Sequence, residues 1–389
     1  MNDSSYITSD MFDRSCVEID LSALRHNYQE IRRITSDGAD VMAVVKADAY
    51  GHGAVAVAKT LIECGANGLC VATIGEATEL REAGIDAPML ILGYTDPIKY
   101  PDVVRYDIQQ AVYDYEDAVK LSEEALKQNK KCKIHVKLDT GMGRLGLPSD
   151  GSSTEDIIKI CSLEGLEPYG VFSHFAVSDT DDDEFTMKQF VRFMGELDEL
   201  SKNGIVFKKR HICNSAGIMR FPGMHLDMVR AGIILYGLMP PGCPEPANKP
   251  DLIPVMTWYA KVIHDKKVKE GHSVSYGRHF IAPKETRVAT VSIGYADGLS
   301  RRVSNGFELI VEGQKAPIIG NICMDMCMID TTEIKGNPDV RSLVTVFGKD
   351  RHADELAEYL DTINYEITCV VGKRVQRIYI DDGRLITVN

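Results

Sequence analysis

A lysine closes an apolar run in the N-terminal part of the chain: Val41-Met-Ala-Val-Val-Lys46, then Ala-Asp-Ala-Tyr50-Gly-His-Gly53. Five non-polar residues, three of them β-branched, read as a buried strand of a parallel sheet. The glycines stop the strand and a helix is expected to follow. Lys46 therefore stands at the C-terminal tip of a strand, where α/β folds gather their chemistry. An amine held there is partly desolvated and suited to nucleophilic or basic work, including Schiff-base formation with a carbonyl cofactor. A lone strand-end lysine is more often a snorkelling surface group, so the meaning of Lys46 depends on what other strands present beside it.

Those others form a consistent set. The run Lys137-Leu-Asp-Thr-Gly-Met-Gly-Arg144-Leu-Gly is a strand leading into a glycine-rich loop that carries an arginine. Further strand ends fall at His174, at Asn214-Ser215, and at Arg230 followed by Gly232-Ile233. Lysines, arginines, a histidine, hydroxyls and glycines on one mouth suit an anionic ligand with a phosphate. Ser215 and the amides around Gly232 are the expected donors, with the Tyr50 hydroxyl beside them. Singly, His174 between Phe172 and Phe175 reads as a core histidine, and Tyr295 as a packed turn residue. Together they are harder to explain so.

The elements that must position these groups follow from hydrophobic periodicity. Strands are expected at 41–46, 68–73, 88–93, 107–113, 133–139, 170–174, 209–214 and 226–230, with helical segments between them. The segment 184–203 shows the helical pattern well, with Phe190, Phe193, Met194, Leu197 and Leu200 on one face and Gly204 as its stop. Eight strands alternating with helices predict an α/β fold: a (β/α)8 barrel over residues 14–240. After the Pro-rich connector that starts at Pro240, short strands are expected at 255–263, 287–293, 308–311, 316–319, 326–329, 343–347 and 377–380, with one helix at 353–360. Residues 250–389 thus read as a second, mostly-β domain.

Composition narrows the function classes. The 389-residue chain exceeds one ordinary core. A net charge of −13, from 44 basic and 57 acidic residues, argues against nucleic acid or an anionic membrane as the main partner. No apolar stretch approaches a membrane span, and the acidic N-terminus lacks an export signal, so a cytoplasmic protein is expected. The ten cysteines are scattered without a C-x-x-C pair, which points to reduced thiols and to no metal site.

At this point the motifs carry a resemblance. Val-Val-Lys46-Ala-Asp-Ala-Tyr50-Gly-His-Gly, the Lys137–Arg144 run, Ser173-His174-Phe-Ala, Cys213-Asn-Ser215-Ala, Arg230-Ala-Gly232-Ile, Ile293-Gly-Tyr295-Ala-Asp-Gly and Ile322-Cys-Met324-Asp325 are similar, in order, to motifs of the alanine racemases. The resemblance runs from about Val17 to Val388. It implies an isomerase that interconverts L- and D-alanine with pyridoxal 5′-phosphate, acts as a homodimer with shared active sites, and supplies D-alanine for peptidoglycan. It implies further that Lys46 carries the cofactor. Tyr50, Asn214, Ser215, Gly232, Ile233 and Tyr365 hold it at or near its phosphate. Arg230 faces the pyridine nitrogen beside His174, Arg144 and Met324 bind the substrate carboxylate, and Tyr295 from the partner is the second base. Lys137 matches a lysine carbamylated in several members. Where many relatives have an arginine in the substrate entry, this chain has Asn321, so the entry is expected to admit larger or more polar amino acids; Ile363 keeps an aliphatic character common there.

Three other readings compete. Within the same family, a serine-preferring or broad-specificity racemase stays open. A non-catalytic pyridoxal-phosphate carrier would lack the β domain. A metal-dependent barrel hydrolase would use His135, His174, His211 and Lys137, but the first strand ends in lysine rather than a His-x-His pair, and His135 alternates inward with Lys137, deeper than a metal mouth.

Overall fold

The computed structural model describes residues 6–349 and 351–386. It divides into two compact units: Leu24–Leu252, and the residues up to Ala23 together with those from Ile253 onward.

The Leu24–Leu252 unit is a barrel. Its parallel strands are Asp40–Val44, Gly68–Val71, Met89–Ile91, Gln109–Val112, Cys132–Asp139, Leu166–Phe172, Lys209–His211 and Met228–Ala231. They pair in chain order, and the last pairs in parallel with the first. Between the seventh and eighth, the Asp227 amide donates to the Arg210 carbonyl (3.2 Å) and the Arg230 amide to that of Cys213 (3.1 Å), which nearly closes the ring. Most strand residues are buried because helices cover the outside, as parallel sheets require. Those helices begin where the sequence supplies caps: Thr73 and Glu76 form a reciprocal capping box, and Asp114 and Asp182 each accept an amide of the following first turn. The eight expected strands are all present, most of them trimmed at one or both ends.

The second unit is mostly antiparallel sheet. Its centre is the 13-residue strand Met256–Val268, bulged between Val262 and His264. One half of that strand pairs with Leu343–Phe347 and Ser15–Asp20, the other with Thr286–Val291. The helix at Ala353–Leu360 stands as expected. A second, Asn364–Cys369, carries Tyr365 and is too short for periodicity to reveal.

One boundary is corrected. The barrel was expected to start at residue 14, yet Ser15–Asp20 lies in the β unit, antiparallel to Met256–Val268 and parallel to Gln376–Asp381. Its first five residues are buried, so it needs a neighbour on each side. A pairing partner more than 200 positions away in sequence leaves no local signal.

Candidate active site

The residues around Lys46 are bent in an unusual way. The Val45 amide extends the ladder to the Cys70 carbonyl at 2.9 Å. Four consecutive non-glycine residues, Ala47 to Tyr50, then take φ of 52–54°, a left-handed turn. Each such residue costs on the order of 1–2 kcal/mol, so the turn must be held from outside. Glu76 does this: one carboxylate oxygen accepts the Ala47 amide (2.7 Å) and the other accepts those of Ala72 (2.7 Å) and Thr73 (3.2 Å). Asp48 accepts the Ala54 amide at 2.7 Å. Underneath, the buried Tyr236 hydroxyl donates to the Val44 carbonyl at 2.8 Å, and its ring packs on Tyr50 and His52. Strain held by surrounding structure is a mark of functional segments. It leaves Lys46 half-buried at the mouth and carries the Tyr50 side chain inward.

The Tyr50 hydroxyl reaches the start of the last barrel loop. A Cβ placed on Gly232 would lie 3.0 Å from Tyr50 Oη and 3.4 Å from Ser215 Oγ, and the Gly232 amide donates to Ser215 Oγ at 3.0 Å. Two hydroxyls and an amide thus close on one small hollow that only glycine leaves open. Ser215 opens the turn Ser215–Arg220, capped by Asn214, whose side-chain Oδ1 accepts from Gly217 N and Ser178 Oγ, both at 2.9 Å. Ile233 follows Gly232 and is buried. This hollow fits a phosphate, because hydroxyl and amide donors converge on it.

Arg230 lies at the bottom of the mouth, fully enclosed. One terminal nitrogen donates to His211 Nδ1 (2.7 Å); the other donates to the carbonyls of Ser173 (2.8 Å) and Ile212 (3.1 Å) and to His174 Nδ1 (3.2 Å). Burial draws it down to about 10, so it is still a cation at neutral pH. His174 is held well below the usual histidine range, first by burial and then by the charges of Arg230, Arg144, Lys137 and Lys46. Lys137 is buried, with Nζ 2.8 Å from the Leu138 carbonyl and 5.2 Å over the Phe172 ring. Burial and then Arg230 push its ammonium down to about 7. Arg144 is exposed on the loop that Asp139 ties by accepting the Gly141 and Gly143 amides. The metal reading finds no geometry here: His135 and His211 bond to each other, and no metal-holding cluster of His, Cys, Asp or Glu occurs among the described residues.

Tyr295, Met324 and Tyr365 belong to the β unit. The Tyr295 amide donates to the Cys323 carbonyl (3.1 Å) and the Ala296 amide to that of Met324 (3.0 Å), so Tyr295 borders the Met324 loop. Bonded to this loop is a residue that sequence reasoning missed, Tyr276. Asn321 Nδ2 donates to the Tyr276 carbonyl at 2.8 Å, in a turn where Ser275 has φ 67° and Arg278 φ 52°. Tyr276 is 71% exposed and Tyr295 44%, with Met324 at 53%. The local signal for Tyr276 was only the glycine that follows it, Gly277, in a turn with left-handed backbone. Asn321 itself is buried and does not stand open in an entry, contrary to expectation: its amide is spent on holding that turn.

A hydroxyl- and amide-lined hollow, a strand-end lysine and a buried arginine stand on the mouth of a barrel, in a chain that continues into a β unit, an arrangement suited to an enzyme. Comparison with known proteins specifies which. Residues 19–240 match the alanine racemase N-terminal domain and residues 255–379 the alanine racemase C-terminal domain. The chain is 44% identical over 376 residues to an alanine racemase of Clostridium tetani, covering 95% of this chain and 96% of that one. It is 46% identical over 367 residues to one of Methanococcus maripaludis, covering 93% and 98%. Among solved structures, an alanine racemase of Clostridium difficile 630 superposes with a TM-score of 0.93 at 37% identity, covering 97% of this chain and 98% of that one. One from Bacillus anthracis with bound L-Ala-P gives 0.90 at 35%, covering 97% of each. The chain belongs to the alanine racemase family and is an isomerase. Among the described residues no helix is long and apolar enough to cross a membrane.

Proposed function

We propose that the chain interconverts L- and D-alanine with pyridoxal 5′-phosphate as cofactor, in the cytoplasm, and supplies D-alanine for peptidoglycan. The observation that carries the cofactor reading is the hollow at Gly232, bounded by the Tyr50 and Ser215 hydroxyls. In this reading Lys46 carries the cofactor, and Tyr50, Asn214, Ser215, Gly232, Ile233 and Tyr365 hold its phosphate end. Arg230 faces the ring nitrogen, and Arg144 with the Met324 amide orients the substrate carboxylate. Bound there, the cofactor would supply an electron sink that makes the substrate Cα–H acidic. Arg230, with its proton held to about 10, does not hand that proton to the ring nitrogen at neutral pH. That keeps the sink weak and favours proton return over side reactions.

Inversion needs a proton removed from one face of Cα and another delivered to the opposite face. Lys46 Nζ serves one face. For the other the β unit offers two phenols. Tyr295 is the residue the motif resemblance indicated; Tyr276 is more exposed and stands in a strained turn, which favours it as the base, with Tyr295 shaping the entry beside it. The exposed group Tyr276, Tyr295 and Met324 supports a homodimer in which the β unit of one chain caps the barrel mouth of another.

The test is racemisation of L-alanine by the purified, cofactor-loaded protein, beside L-serine and other amino acids. Lys46→Ala should abolish it. Tyr276→Phe should cost more than a thousandfold and Tyr295→Phe far less; the reverse order would return the base to Tyr295. Refolding inactive Lys46→Ala and Tyr276→Phe chains together should restore roughly a quarter of wild-type activity if sites mix two chains. No recovery in confirmed heterodimers would place both groups on one chain. Faster turnover of serine than alanine would move the substrate assignment.

A further inference from the structure

The barrel holds a buried chain of polar side chains that the proposed reaction does not use directly. His211 Nε2 is 2.9 Å from His135 Nδ1, and His135 Nε2 is 2.8 Å from Gln109 Oε1. His211 and His135 are buried to within 1% of complete enclosure, and Gln109 is buried as well. Resting on the reading that Arg230 faces the cofactor ring, we propose that Gln109 and His135 are positioning residues, which act through His211 to fix the guanidinium of Arg230 in one hydrogen-bonding arrangement.

Donor and acceptor chemistry fixes the direction of each link. A guanidinium can only donate, so His211 Nδ1 must accept from Arg230. His211 then carries its proton on Nε2 and donates to His135 Nδ1. His135 in turn carries its proton on Nε2 and donates to Gln109 Oε1, which sets the orientation of the amide. Every link has a single allowed direction. An imidazolium at either ring would set two N–H groups against each other, or an N–H against the guanidinium.

The surroundings enforce the same state. Phe172 stacks on His211 with ring centroids 4.8 Å apart and planes 3° from parallel. The His135 ring lies against Gly170, where any Cβ would fall 2.2 Å from Nδ1, so residue 170 leaves that ring its place. Burial, then the charge of Arg230, holds His135 at about 3, and burial with Arg230 and Lys137 holds His211 well below the usual histidine range. With one terminal nitrogen given to His211 and the other to Ser173, Ile212 and His174, Arg230 cannot turn without stripping a buried acceptor. Its Nε–H has no protein acceptor among the described residues and is the donor left for a ring nitrogen.

The relay can be read without activity. In histidine-15N-labelled holoenzyme, two ring systems, identified by their loss in His135→Asn and His211→Asn, should show the neutral Nε2–H tautomer. Neither should titrate between about pH 5.5 and about pH 9, where ordinary histidines do. Gln109→Met should lower kcat roughly tenfold, the scale of one lost buried hydrogen bond, with KM little changed, and should let the His135 ring sample the other tautomer. Gln109→Glu, which keeps an acceptor, should retain the Nε2–H tautomer at His135. An Nδ1–H tautomer in the wild type, or titration of either ring in that range, would overturn the proposal. These spectra stand apart from the racemase assay: if they fail while alanine is turned over, only the relay falls.

Discussion

Asn321 donates its side-chain amide to the carbonyl of Tyr276 at 2.8 Å, joining two segments 45 residues apart in the β unit. On the other side the Ser275 hydroxyl donates to the Asn321 carbonyl. The two bonds brace a turn whose flanking residues, Ser275 and Arg278, both have positive φ. A neutral, short side chain at 321 therefore acts here as a brace.

Asn321→Ala should accordingly loosen the Tyr276 turn. Losing one buried hydrogen bond is worth ~1–2 kcal/mol, so kcat/KM for L-alanine should fall roughly tenfold. The ratio of kcat/KM for L-serine over L-alanine should stay within about a factor of two. A variant that gains serine activity at the expense of alanine would instead assign Asn321 to size selection.

Gly232→Ala tests the phosphate hollow. The new methyl would meet the Tyr50 hydroxyl at 3.0 Å and the Ser215 hydroxyl at 3.4 Å, occupying the space an anion needs. One or two charge-assisted hydrogen bonds, ~1.5–3 kcal/mol each, would be lost, so cofactor affinity should drop by roughly 10- to 10,000-fold. Equilibrium dialysis of cofactor against the variant measures this directly. Affinity unchanged within a factor of two would place the phosphate elsewhere.

Most of this fold was legible because its signals are local. The barrel strands announce themselves as short β-branched runs, and the helices by caps such as Thr73–Glu76. The strand Ser15–Asp20 was not, since its partners begin at Met256 and Gln376 and nothing nearby distinguishes it from a lead-in to the first helix. Within the site, Tyr50, Ser215 and Gly232 could be grouped from their strand-end positions. The brace on Tyr276 could not, because it depends on a side chain 45 positions away. The four left-handed residues after Lys46 were hidden for a related reason: Ala-Asp-Ala-Tyr carries no glycine, and the turn exists only because Glu76 holds it.

Glu18 should make the β unit less stable as pH rises. It lies on Ser15–Asp20, 3% exposed, with Oε2 lacking any hydrogen-bond partner, and burial, reinforced by Asp20 and opposed by Lys349, raises it to about 7. The folded chain thus binds a proton more readily than the unfolded one. The folded state keeps its full stability below about 4.5 and loses part of it as pH rises through about 7. Glu18→Gln removes the charge and keeps the shape, so the variant should be more stable than wild type by ~1–3 kcal/mol at about pH 8 and nearly equal at about pH 5. Urea unfolding followed by the fluorescence of Trp258, the chain's single tryptophan, checks both. Equal gains at the two pH values would show that ionisation of Glu18 is not the cause.

Lys137 gives the sharpest test of how Arg144 is oriented. The amine is buried, and burial with Arg230 and Arg144 lowers it to about 7 while Asp139 works the other way. As a cation it would repel both guanidinium groups; as a carbamate it would attract them. Only the neutral amine can add to CO2, forming an N–C bond and releasing a proton to solvent. From a value of about 7, the neutral fraction rises from roughly a tenth at pH 6 to roughly nine tenths at pH 8. Enzyme stripped of CO2 should therefore lose activity and regain it on adding bicarbonate, about tenfold faster at pH 8 than at pH 6 when dissolved CO2 is matched. Lys137→Ala should be insensitive to bicarbonate and partly rescued by acetate or chloride, small anions able to take the carbamate's place beside Arg144. Full activity in CO2-free buffer, or an unimpaired Lys137→Ala, would show that Arg144 is oriented without a negative charge at this position.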